Sequence, residues 1–166
     1  MLRPQDVVVA LKLAGSVAGE RTFPKLAVAL GMSASETHAA VKRAVASGLV
    51  DPTTREVRKA ALLEFLVHGL RYVFPGEWGG VTRGLPTSFA APPLRDQLAP
   101  ADLPPVWPHP EGTARGEGLV PLYHSVPGAA LRDPEFYEWL ALADAVRAGR
   151  DRERQLATRE LERRLS

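Results

Sequence analysis

Apolar residues recur at spacings of three and four from the start of the chain. Val7, Val8, Leu11 and Ala14 line one side of a helix over Gln5–Ala14, with Pro4 in its first turn. Gly15 and Gly19 mark the loop that follows. Thr22 is placed to cap a second helix, in which Phe23, Leu26, Ala27 and Leu30 form a short stripe and Pro24 occupies the first turn. Gly31 ends it, since glycine tolerates the left-handed conformation that helix ends adopt. Ser33-Ala34-Ser35-Glu36 has the spacing of a capping box. It opens a third helix to Ser47, with Thr37, Val41 and Ala44 facing inward, Ala40 beside them and Gly48 at its end. Leu49-Val50 and Arg55-Glu56-Val57 then read as two short strands around Asp51-Pro52-Thr53-Thr54, which has type I turn chemistry. Arg58–His68 returns to helix, with Leu62, Leu63, Phe65 and Leu66 on its apolar side and Gly69 within or just past its end.

From Tyr72 to Gly128 no helical or alternating pattern lasts more than a few residues. Eleven of the fifteen prolines lie between Pro75 and Pro127. Phe74, Trp78, Phe89, Trp107 and Tyr123 punctuate the stretch, which predicts an irregular segment pinned by aromatic anchors to a folded surface. Gly79–Gly84 within it reads as a turn that allows close backbone approach. Asp133-Pro134 restarts helix, and Phe136, Trp139, Leu140, Ala143 and Val146 repeat at three and four. Arg150–Ser166 continues as a charged helix whose large apolar residues are Leu156, Leu161 and Leu165.

The predicted fold class is mainly α with a small β-wing. It has three parts: a helical domain over 1–70, the irregular Pro/Gly-rich segment over 71–132, and C-terminal amphipathic helices over 133–166. A length of 166 residues suits one domain with an appendage. The absence of cysteine excludes disulfides, thiolate metal sites and cysteine catalysis. No apolar run is long enough to cross a bilayer, and the first residues lack a signal peptide's pattern, so a cytoplasmic protein is expected. Abundant alanine, arginine and proline with only four lysines suit a GC-rich bacterial genome.

Charge changes the picture more. The net charge is +2, but residues 1–60 carry nine Lys/Arg against five Asp/Glu. The remainder is slightly acidic. A polyanionic partner is therefore sought at the N-terminal helices.

The order helix, tight glycine turn, capped helix and hairpin resembles the winged helix–turn–helix superfamily, in the style of MarR-type bacterial regulators. The residues that carry the likeness are Leu26-Ala27-Val28-Ala29-Leu30-Gly31-Met32-Ser33, Val41-Lys42-Arg43-Ala44 and Ser47-Gly48-Leu49-Val50, within residues 5–68. The resemblance implies a sequence-specific double-stranded DNA-binding transcriptional regulator, a homodimeric repressor, with the third helix in the major groove. On that helix Ser35 and His38 would approach base edges, and Lys42 and Arg43 would hold phosphates. Arg55, Arg58 and Lys59 lie in or beside the wing and would touch the flanking backbone. The stripe Phe136–Val146 needs cover, which a second copy would provide; the alternative is that it packs on the helical domain of its own chain.

Enzyme signatures are missing: the sequence has no H-E-x-x-H, G-x-S-x-G or P-loop. His38, His68, His109 and His124 are too scattered for a metal site, and no cofactor is implied. The alternative function is a protein-interaction module, antitoxin-like or an accessory subunit, in which the winged helix is structural and residues 72–128 clasp a partner.

Overall fold

The computed structural model describes residues 1–166 as a mainly helical protein with a small three-stranded sheet. At its centre is α1 (Pro4–Ala14). The expected one-sided stripe is an underestimate, because every residue from Asp6 to Leu13 is buried. The helix lies between α3 (Ala34–Ala46) on one side and α7 (Pro134–Ala148) on another, so it has no solvent face. Its two buried charges have partners. Asp6 receives the guanidinium of Arg43, and Lys12 donates to Asp133 at 2.7 Å.

The helices around α1 begin and end where local chemistry sets them. α2 (Phe23–Leu30) starts at Thr22, whose hydroxyl accepts the Lys25 N–H, and stops at Gly31 with φ +65°. The Met32 N–H then closes back on the Ala27 carbonyl. Ser33 caps α3 by accepting the Glu36 N–H at 3.1 Å. Thr37, Ala40, Val41 and Ala44 face the core.

The expected β-wing is reduced to a single bridged pair, Val50 and Val57. Asp51 draws the loop tight by accepting the N–H groups of Thr53 and Thr54, and Arg55 adopts φ +58°. Too few residues remain extended on either side to build a ladder. The next helix does not stop at His68. It runs from α4 (Lys59–Glu64) through a π-helical stretch (Phe65–Gly69) into α5 (Leu70–Val73), with Gly69 inside it against the Phe65 ring.

The segment expected to be irregular contains the sheet. β1 (Trp78–Pro86) pairs antiparallel with both β2 (Pro105–Pro108) and β3 (Ala114–Leu119), and β2 meets β3 in parallel, so the three strands close on one another. Gly79–Gly84 belongs to β1 and is not a turn. A register shift between Trp78 and Val81 places Gly79 and Gly80 at a bulge. The interior of so small a closed sheet leaves no room for a further side chain at its glycines. Gly84, Gly116 and Gly118 are buried there, and a Cβ on Gly116 would sit 1.9 Å from the Pro104 carbonyl oxygen. Val81, Arg83, Arg115 and Glu117 alternate with them and face outward.

One carboxylate fastens the sheet to α7. Asp144, buried, accepts Thr87 Oγ1 and Trp107 Nε1 on one oxygen, each at 2.7 Å, and Arg147 Nε on the other at 2.8 Å. Arg147 continues to the carbonyls of Pro75 and Val120, tying both flanks of β1 and β3. Trp107 is thus a fully buried anchor. Trp78 is not an anchor, with 45% of its surface exposed.

α6 (Val126–Arg132) is a further helix that the sequence pattern did not predict. In α7, Asp133 caps the N-terminus by accepting the Phe136 N–H. Phe136, Trp139, Leu140, Ala143 and Val146 are all buried, but within their own chain. α1, α5, α6 and α8 (Asp151–Arg164) surround the helix, so the stripe is not a surface left for a second copy. No helix is long and apolar enough to cross a membrane.

Candidate nucleic-acid interface

With Thr37, Val41 and Ala44 committed to the core, helical geometry turns Ser35, His38 and Lys42 outward in one row. All three are exposed, and Ala39 and Ala46 beside them are too small to obstruct an approach. On the neighbouring α2, Arg132 donates to the Val28 and Ala29 carbonyls, where a cation suits the helix C-terminus.

The other expected contacts divide. Arg58 and Lys59 stand exposed where α4 begins. Arg43 does not reach outward: its Nε and Nη2 bind Asp6 at about 2.9–3.0 Å, and Asp6 is completely buried. An ionised carboxylate inside the core requires that partner, so Arg43 is a structural residue and not a phosphate contact. Arg55 is also withdrawn. Its Nη1 donates to the Arg21 carbonyl at 2.8 Å, and its guanidinium covers the Phe23 ring at 3.8 Å. Phe23 touches His38 as well, with ring centroids 4.8 Å apart. The structure therefore brings His38 and Arg55 together through Phe23, on the outer side of α2 and α3. Nothing in the sequence pattern linked Phe23 to either residue, because its place in the apolar stripe of α2 pointed to the core.

Four of the nine basic residues in 1–60 are engaged within the chain, two of them with Glu56 and Asp6 of the same segment. Lys12, Arg21 and Arg43 have carboxylate partners, and Arg55 has its carbonyl and ring. Arg3, Lys25, Lys42, Arg58 and Lys59 remain exposed without an ion pair. Glu36 sits in the first turn of α3 and accepts the Tyr123 hydroxyl, a contact from 87 residues away that local sequence cannot show. The hydrogen bonds from Tyr123 and Ser33 hold the Glu36 carboxyl below its ordinary range. The helix N-terminus is thus already matched to a carboxylate. The exposed row Ser35, His38 and Lys42 lies beside that carboxylate and runs on along the helix.

No group of three or more His, Asp or Glu side chains comes together in a way that could hold a metal ion. No protein-family model, curated protein or solved structure matches this chain.

Proposed function

We propose that this protein is a bacterial transcriptional regulator that binds double-stranded DNA in the manner of a winged helix–turn–helix domain. α3 enters the major groove. The observation that carries the reading is the outward row Ser35, His38 and Lys42 on a helix fixed at both ends and along its inner face. Ser35 and His38 are the base-reading positions. Lys42 holds a phosphate, and Arg58 and Lys59 hold the backbone beside the groove. Repression by a homodimer follows the same reading, with two copies reading two half-sites. Since the α7 stripe is covered within the chain, the dimer contact lies elsewhere.

Selection of duplexes from a random-sequence pool, followed by anisotropy titration, tests this. A shared sequence motif is expected. His38→Ala should relax preference at one position by about 1–3 kcal/mol, while Lys42→Ala should weaken all duplexes alike. Failure of the pool to converge, with no duplex bound by the full chain, would overturn the reading.

A second reading has its own support. Tyr72, Val73, Trp78, Val81, Leu103 and Val120 are large apolar residues at least 42% exposed, and all belong to residues 72–128. Val73 and Val120 share one cleft and Trp78 and Leu103 another, and apolar side chains so placed suit an interaction module that binds another protein. Pull-down with purified neighbouring gene products, repeated with Trp78→Ser, separates this from DNA binding.

A further inference from the structure

Two arginines on the sheet have no counterpart in the fold. Arg83 on β1 and Arg115 on β3 are directly opposite in the antiparallel register, and both are exposed. Like charges placed opposite one another weaken a strand pair. Here nothing offsets them, since neither guanidinium makes an ion pair or hydrogen bond within the chain, whereas Arg43, Arg147 and Arg164 are all paired. The nearest carboxylate along the strand, Glu117, lines a different cleft with Trp78.

The arginines border a concavity of about 490 Å³, with Thr82, Gly112, Thr113 and Ala114 completing its wall. No carboxylate belongs to that wall. Its shape is fixed by the backbone: Gly112 packs so closely on Gly84 that a Cβ would lie 2.4 Å from it. The turn before β3 is thereby held against β1, and the two guanidinium groups are presented from rigid strands. Two cations, with Thr113 in the same wall, match a phosphate. The hollow is wide and open, without an apolar or aromatic wall to enclose a small molecule, so it fits a phosphate carried on a polymer.

We propose that Arg83 and Arg115 form a second nucleic-acid contact that grips backbone phosphates independently of sequence. The proposal rests on the DNA-binding reading for the identity of the polymer, and on the sheet alone for the site.

The test uses the full chain, a selected duplex and a random duplex, each titrated at several salt concentrations. Arg83→Thr/Arg115→Thr should weaken both duplexes equally and reduce the slope of log affinity against log salt by about two. The melting temperature should not fall, because a repulsive pair has been removed. An unchanged slope in the folded double variant would overturn this site and leave α3 standing. A reduced slope, with His38→Ala and Lys42→Ala without effect, would support the site and overturn the α3 reading. Absence of duplex binding by the native chain would overturn both. Inorganic phosphate alone is the last probe: saturation of Arg83 and Arg115 Nε–H signals by phosphate, with no loss of duplex affinity, would make this a free-anion site and contradict the proposal.

Discussion

The helical unit around α1 and the closed sheet of β1–β3 fill their interiors in opposite ways. Around α1 the space is occupied by side chains, with Val7, Val8, Val9, Leu11 and Leu13 at most 1% exposed. In the sheet neighbouring backbone crowds Gly84 and Gly116, and Gly118 lies against the Thr82 and Pro108 side chains, so glycines stand where the helical unit has apolar side chains. Charge differs too. Four of the nine cations in residues 1–60 are held by partners and five stay exposed, while Arg83 and Arg115 are both bare. The lesson is that a glycine-lined interior yields a strand without an apolar alternation, and that a basic residue in the sequence is not always one offered to a ligand.

If that contrast holds, adding one side chain should harm the sheet most. Gly116→Val drives atoms into the Pro104 carbonyl, and a destabilisation of about 4 kcal/mol or more is expected, read by urea unfolding. In α1 it is removal that should hurt: Leu11→Ala should cost about 3 kcal/mol by the same measurement. Tolerance of Gly116→Val would break the comparison.

The next effect separates two neighbours in sequence. Arg43→Ala leaves Asp6 buried without its partner, and about 3 kcal/mol of stability should be lost. Lys42→Ala, fully outward, should change stability by less than about 0.5 kcal/mol. Equal effects in thermal melts would mean that Arg43 is not committed to the core.

Caps contribute less. Ser33→Ala should cost about 1 kcal/mol, by loss of the acceptor for the Glu36 N–H. Acid should have the smallest and most local effect. Hydrogen bonds from Arg163 and then Arg164 hold the Glu160 carboxyl at about 2, below its ordinary value of 4.5, despite burial, which raises it. A depressed carboxyl stabilises the fold above its ordinary value, and that contribution is lost as pH falls from about 4.5 toward 2. α8 should therefore loosen in that range. Glu160→Gln should melt with a flatter dependence on pH there, and parallel profiles would count against the pairing.

The legibility of the chain follows the same division. Thr22, Gly31, Ser33 and Asp133 act as the caps their sequence contexts predict, because capping is decided within a few residues. The inward positions Thr37, Val41 and Ala44 were equally readable. β1 and β3 were not, since their alternation is between glycine and polar residues. Arg-Gly at 83–84 and Arg-Gly-Glu-Gly at 115–118 held the signal, written in glycine where apolar residues are usually sought. The fate of Arg43 and Arg55 was unreadable for another reason. Asp6 lies 37 residues from Arg43, and the backbone carbonyl of Arg21 lies 34 residues from Arg55, so only the fold shows that these side chains are occupied. The covered α7 stripe is the same lesson for apolar residues: periodicity marks a buried face without naming what buries it.

In the proposed reading, α3 meets DNA through its outward row. Amide chemical shifts of the isotope-labelled full chain, followed during titration with a selected duplex, test it most directly. Perturbations should concentrate at Ser35, His38 and Lys42, extend to Arg58 and Lys59, and leave Asp6 and Arg43 nearly still. Saturable binding that shifts only residues of the 72–128 segment, with α3 silent, would contradict it.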